Sequence, residues 1–116
     1  MSTNPSAIQY LPLSGGTLTG ALNVAGNVDV TAAGSGLRVA EGANAKQGTA
    51  VLVAGAVTVA NTSVTANSRI FLTSQVDGGA PGFVRVSARV AGTSFTITSS
   101  SATDTSTIAY EIVEPG

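Results

Sequence analysis

Apolar and polar residues alternate along much of the second half of this chain. Val84, Val86, Ala88 and Val90 take every second position against Phe83, Arg85, Ser87 and Arg89. That period of two is the mark of a strand with one face buried. Phe95 and Ile97 resume the pattern after the short turn Ala91-Gly92, and Ile108, Tyr110 and Ile112 carry it towards Pro115. Val51/Val53 and Val57/Val59 form pairs on either side of Ala54-Gly55, and Ile70 and Leu72 share one face of a further strand. No convincing helical stripe interrupts the region. Many Val and Thr residues, with Gly-bearing turns spaced roughly 8–12 residues apart, predict an all-β, antiparallel sandwich of jelly-roll-like character. Phe71 and Phe83 have the opposite parity to the inferred core. On a lone domain they would face solvent.

Residues 10–45 read differently. Their apolar groups, Leu18/Leu22, Val24, Val28/Val30 and Leu37/Val39, are separated by Gly, Asn and Ala. The pieces are too short for independent strands and too rich in Gly for a helix. Ordering a backbone costs about 1–2 kcal/mol per residue, which a few small side chains cannot offset. The segment is therefore expected to be disordered alone, or to have its core completed by other copies as a short intertwined β stem. The expected organisation is a flexible tail over 1–9, a trimerising stem or collar over 10–45, and a β-sandwich knob over 46–116.

The run Tyr10-Leu-Pro-Leu-Ser-Gly-Gly-Thr-Leu-Thr-Gly-Ala-Leu22 resembles the collar segment of bacteriophage tail-fibre and tail-spike proteins, with Pro12, Gly15, Gly16 and Gly20 at that family's positions. The resemblance implies a structural virion protein, most often a homotrimer. Leu13, Leu18 and Leu22 would then join Phe71 and Phe83 at the subunit interface. The stretches 57–74, 92–98 and 104–115 look like a C-terminal module of phage structural proteins. That likeness implies a compact β-sandwich knob capping a fibre or decorating a virion.

Composition sharpens this picture. Charged residues make up 9 % of the chain and the net charge is −1, against about 25 % charged in ordinary soluble domains. Ser and Thr supply most of the polarity, which suits permanent self-association. The knob's core is thin, and domains of about 70 residues are marginal without a disulfide, a metal or an oligomer. The chain has neither Cys nor His. Disulfides, thiol nucleophiles, Ser-His-Asp triads and ordinary zinc sites are excluded, and association remains. No cofactor is expected. The opening Met-Ser-Thr-Asn-Pro lacks the basic and apolar regions of a signal peptide. The longest apolar-rich run, 49–60, is too short to span a bilayer, so no membrane insertion is expected. The dispersed cations Arg38, Lys46, Arg69, Arg85 and Arg89 form no footprint for nucleic acid.

Candidate chemistry is sparse. A glycosidase needs two carboxyl groups at a fixed separation. Of Asp29, Glu41, Asp77, Asp104, Glu111 and Glu114, Asp77 and Asp104 fit turn roles in which a short carboxylate bonds nearby amides. Glu111 faces away from the core, suited to solvation or to pairing with an Arg of another subunit. Gly34-Ser-Gly36 lacks the remainder of a dinucleotide fingerprint, and Gly42-Ala-Asn-Ala-Lys46 lacks that of a phosphate loop. Asn61-Thr-Ser63 matches a glycosylation acceptor. Arg69, Arg85 and Arg89 are candidate contacts for an acidic glycan or a partner's carboxylates, with Arg85 and Arg89 on one strand face. Loops 75–82 and 99–106 are the expected places for host contact.

The expected protein is a non-enzymatic homotrimer on the exterior of a phage particle. Its expected partners are other virion proteins and, as a candidate, a host surface glycan. The first alternative is a capsid decoration or head-fibre protein, and the second a fibre-borne polysaccharide hydrolase domain.

Overall fold

A computed structural model describes residues 14–116 of the chain. The chain divides into two compact units, one ending at Gly36 and the other spanning Leu37–Gly116. In the first unit, residues 14–36 form turns and bends with no strand, and all of them are exposed. Leu22 is 65 % exposed and Val28 72 %. Among the described residues of this unit none is buried.

The second unit is all-β. Its strands are β1 (Gln47–Val51), β2 (Ala56–Ala60), β3 (Arg69–Val76), β4 (Val84–Val90), β5 (Ser94–Ser99) and β6 (Thr107–Val113). They form two three-stranded antiparallel sheets, β1-β6-β3 and β2-β5-β4. The expected antiparallel β-sandwich is present, with three strands in each sheet. The central strands β5 and β6 have the cleanest alternation and supply most of the core: Phe95, Ile97, Ile108, Tyr110 and Ile112 are buried, joined by Leu52 and Val64. Ala50, Val57, Val59, Ile70, Leu72, Val84 and Val86 pack against them from the four edge strands. Phe95 meets Tyr110 edge to face, with ring centroids 5.0 Å apart at 78°. That geometry sets the positive ring edge against the negative ring face. Tyr110 needs the room that Gly48 leaves, because a Cβ at Gly48 would collide with the phenol.

Two features of the core depart from the alternating pattern. Val51 and Val53 are exposed, and Leu52 between them is the buried residue. Ala50 pairs with inward Ile108 and Val51 with outward Thr107, so the register with β6 decides the parity. In β4 the register shifts between Val86 and Ala88. The extra residue, Ser87, reverses the parity of everything after it. Ala88 and Val90 consequently lie on the outer face with Thr96 and Ser94, while Arg89 stands opposite Phe95.

The sheets are tied to the segment that precedes them. Asn61 is buried, and its Nδ2 donates to the Ala45 carbonyl at 2.7 Å, while its Oδ1 accepts from the Ser63 amide at 2.9 Å. The Thr62 amide donates to Asn44 Oδ1 at 3.0 Å, and the Gly42 amide to the Gln47 carbonyl at 3.2 Å. A fragment starting at Lys46 strands the Asn61 amide in the interior, whereas one starting at Leu37 keeps it paired. The shorter fragment is expected to be about 1–3 kcal/mol less stable, the usual effect of leaving a buried donor unsatisfied. Parallel urea titrations of 37–116 and 46–116 at equal concentration measure this; coincident midpoints would place the energetic boundary at Lys46.

Candidate outer-face groove and polar clasps

Cross-strand neighbours share a sheet face, so the registers define the outer surface of β1-β6-β3. One row is Gln47–Glu111–Phe71, the next Thr49–Ala109–Thr73, and the next Val51–Thr107–Val76. The last follows a second bulge, between Ser74 and Val76. A groove of about 310 Å³ lies over this face, lined by Glu41, Gln47, Thr49, Phe71, Thr73, Gln75 and Glu111 among others. Glu41 reaches it through a parallel bridge to Gln47. Phe71 is 62 % exposed and Glu111 half-buried. Among the described residues neither Glu41 nor Glu111 forms an ion pair; the ion pair there joins Lys46 and Glu114 at 2.9 Å.

The remaining carboxylates of interest act within the fold, at the two ends of β6. Asp104 is buried at 1 % exposure. Its Oδ2 accepts from Ser99 Oγ at 2.6 Å and from the Gly82 amide at 2.9 Å, and its Oδ1 accepts from the Ser106 amide at 2.9 Å. Hydrogen bonds from Ser106 and Ser99 come first in holding its carboxyl well below the usual carboxylate range, outweighing desolvation. Asp104 thus closes the 99–106 loop over Gly82, next to the exposed Phe83 ring. At the other end, Glu114 accepts from Ser68 Oγ at 2.6 Å, from the Thr65 hydroxyl, and from Lys46 Nζ. The Ser68 and Thr65 hydroxyls, then Lys46, hold it down to about 2. Asp104 plays the turn role expected of it. Glu114, to which no role was given, joins β6 to the 65–68 turn and to the start of β1. No sequence signal announced this, because its partners lie 46 to 68 residues away.

The other sequence-derived sites are dispersed. Phe71 lies in the groove and Phe83, 88 % exposed, precedes β4 in the other sheet. Leu18 and Leu22 are exposed in the first unit, and Leu13 lies outside the described residues. Arg69 is on the face of β1-β6-β3 and its guanidinium donates to the Asn67 carbonyl. Arg85 points outward from β2-β5-β4 opposite Thr98. The bulge at Ser87 sends Arg89 to the opposite face, so the expectation that Arg85 and Arg89 share one face is corrected. Asn61, as a glycosylation acceptor, is also corrected: its amide is buried and committed to Ala45. The groove itself was not foreseen, since Glu41 enters it only through the bridge to Gln47.

Residues 44–113, which contain both sheets, match a family model described as the K1 capsule-specific polysaccharide lyase, C-terminal domain. The chain belongs to this family. No curated protein matches it. The K1 capsule-specific polysaccharide lyase C-terminal domain therefore encompasses β1 to β6, the Asp104 cluster and all of the named groove residues except Glu41. Membership carries a coarse assignment to a phage fibre- or spike-related, virion-associated protein.

Proposed function

We propose that the chain is a non-enzymatic structural component of a phage fibre or spike, a homotrimer on the virion exterior that contributes to attachment at the host surface. The observation that carries this reading is the apolar character of an outward sheet face: Val51, Phe71 and Val76 are 54 %, 62 % and 59 % exposed on the outer side of β1-β6-β3. Scattered single apolar residues are ordinary, but three on one small face favour a covered surface. Leu18, Leu22 and Phe83 add to the surface awaiting cover. Native mass spectrometry tests the assembly, with a trimer expected and a folded monomer at micromolar concentration overturning it. Phe71→Asp is expected to release monomers, because burying a carboxylate without a partner is costly. Ala102→Asp, on the exposed 99–106 loop, is expected to leave the mass unchanged. Equal tolerance of both would make Phe71 an ordinary surface residue.

The family name refers to a capsule-specific polysaccharide lyase. For this chain we infer a place beside such chemistry rather than its performance. Elimination from a uronic-acid unit requires a base and a group that neutralises the charge developing on the sugar carboxylate. The groove presents Glu41 and Glu111, and its lining contains no Lys or Arg. Two carboxylates there oppose the charge that must be stabilised. Incubating the chain with capsular polysaccharide and monitoring ultraviolet absorbance for unsaturated ends is expected to give no signal; catalytic growth of that signal would overturn the non-enzymatic reading.

A further inference from the structure

Tyr110 carries a polar group that the fold leaves without a use. The residue is 6 % exposed and its ring packs on Phe95. Its phenolic oxygen lies over Gly48, where a Cβ would strike it. No described residue hydrogen-bonds to this hydroxyl, yet among the described residues no fully buried side-chain oxygen lacks a partner, so the hydroxyl opens onto the surface. It does so in a pocket of about 320 Å³ lined by Glu41, Gly48, Thr49, Val59, Ala60 and Tyr110 among others. The pocket shares Glu41, Gly48, Thr49 and Tyr110 with the outer-face groove, but it reaches β2 in the other sheet and includes neither Phe71 nor Glu111. Backbone groups meet there as well. The Ile112 amide donates to the Lys46 carbonyl at 2.7 Å, and the residues that bond across an antiparallel pair alternate. Gly48 and Ala50 therefore bond β6, which leaves the Thr49 amide and carbonyl on the free edge of β1. The Asn61 amide donates to the Thr93 carbonyl at 2.9 Å, so Val59 bonds β5 and Ala60 faces the free edge of β2. The parallel bridge of Glu41 to Gln47 already occupies the β1 edge beside Thr49. It stops an added strand there and leaves a pocket instead.

We propose that this pocket binds one neutral sugar ring of a host surface glycan. The proposal deepens the attachment reading, on which it rests, by naming the ligand class and the residues that hold it. The Tyr110 hydroxyl both donates and accepts, the Glu41 carboxylate accepts, and the free Thr49 and Ala60 backbone groups supply both functions. That mixture suits the hydroxyls of a sugar, each of which is itself donor and acceptor. Val59 and Ala60 give an apolar wall for the C–H face of the ring. Small-molecule sites combine such walls with a few placed polar groups in volumes of about 300–1,000 Å³. Charge excludes the acidic sugars: the lining includes neither Lys nor Arg, and Glu41 repels a sugar carboxylate. Arg69, Arg85 and Arg89, the candidate contacts for an acidic glycan, do not line this pocket.

The test follows backbone amide shifts of the full chain by nuclear magnetic resonance. The probes are the methyl glycosides of glucose, galactose and mannose, with glucuronic acid as the acidic counterpart. The Gly48, Thr49 and Ala60 amides are expected to shift with at least one neutral glycoside, with the weak affinity of a single sugar ring, and not with glucuronic acid. Tyr110→Phe keeps the ring on Phe95 and removes only the hydroxyl. It is expected to weaken binding about fivefold, the effect of one hydrogen bond. Glu41→Gln, at an exposed position, is expected to weaken it as well, since a carboxylate accepts more strongly than an amide. Circular dichroism melts establish that each variant is folded, and Glu41→Gln decides the matter where Tyr110→Phe folds poorly. No shift at these amides with any of the three neutral glycosides would mean a hydrated phenol and no site. An equal response to glucuronic acid, or unchanged affinity in the folded variants, also overturns the proposal. The pocket lies within one copy, so native mass spectrometry separates the readings: a trimer that binds no sugar overturns the pocket alone, and a monomer that binds sugar beside Tyr110 overturns the trimer alone.

Discussion

Phe95→Ala is expected to cost the knob about 3–5 kcal/mol, the range for truncating a fully buried Phe. Phe95 is 0 % exposed, lies in the central strand β5, and meets Tyr110 across the sandwich. Its ring therefore holds one sheet to the other, and its removal also forfeits the edge-to-face contact. A unit of about 80 residues has a total stability of roughly 4–12 kcal/mol, so the variant is expected to be largely unfolded under mild denaturant. Phe71→Ala is the matched comparison. It removes the same side chain from a position that is 62 % exposed, and the fold of the isolated knob should change by less than about 1 kcal/mol. Denaturation followed by circular dichroism at one fixed protein concentration compares the two, because association would add a concentration-dependent term. An unchanged midpoint for Phe95→Ala would contradict the core described above.

The second large effect is expected with acid. Both clasp carboxylates are depressed in the folded chain: Glu114 from 4.5 to about 2, by the Ser68 and Thr65 hydroxyls and Lys46, and Asp104 further, by Ser106 and Ser99. A carboxyl with a lowered folded pKa binds fewer protons folded than unfolded, so acid favours unfolding. Their stabilisation is fully present above the unfolded values and is lost as pH falls through the folded ones. The knob is therefore expected to keep full stability at pH 6, to weaken from about pH 4.5 downward, and to fall most steeply between about pH 4 and pH 2, where the unfolded carboxyls are protonated and the folded ones are not. Urea midpoints measured at intervals from pH 7 to pH 2 give the profile. Glu114→Gln should lower the plateau near neutrality and flatten the acid limb, since one of the two titrating groups is gone. A wild-type midpoint independent of pH down to 2 would mean that neither carboxylate is held as the hydrogen bonds indicate. The two clasps sit at opposite ends of β6, so their losses should add.

How much of this was legible beforehand differs from strand to strand. β5 and β6 were readable residue by residue, because a central strand is buried on its core face along its whole length and the period of two survives intact. Phe95, Ile97, Ile108, Tyr110 and Ile112 fall where alternation places them. β1 was not, since Val51, Leu52 and Val53 are all apolar and local pattern cannot say which parity is inward. The exposed rings of Phe71 and Phe83 were expected from parity, but the groove beside Phe71 was not, because Glu41 comes from outside the strands.

By itself the sequence determined the all-β class, the antiparallel alternation of the central strands, the outward parity of Phe71 and Phe83, and the exclusion of thiol, imidazole and disulfide chemistry. Each of these follows from composition or from contacts between near neighbours in the chain. Tertiary structure alone decided the parity of Leu52, the bulge that parts Arg85 from Arg89, and the burial of Asn61. It alone placed Glu111, Gln47 and Phe71 in one row. These depend on strand register and on hydrogen bonds between residues distant in sequence, such as Glu114 with Lys46 and Asp104 with Gly82. A one-residue shift in register exchanges the two faces of a strand, and no local pattern of apolar residues records such a shift.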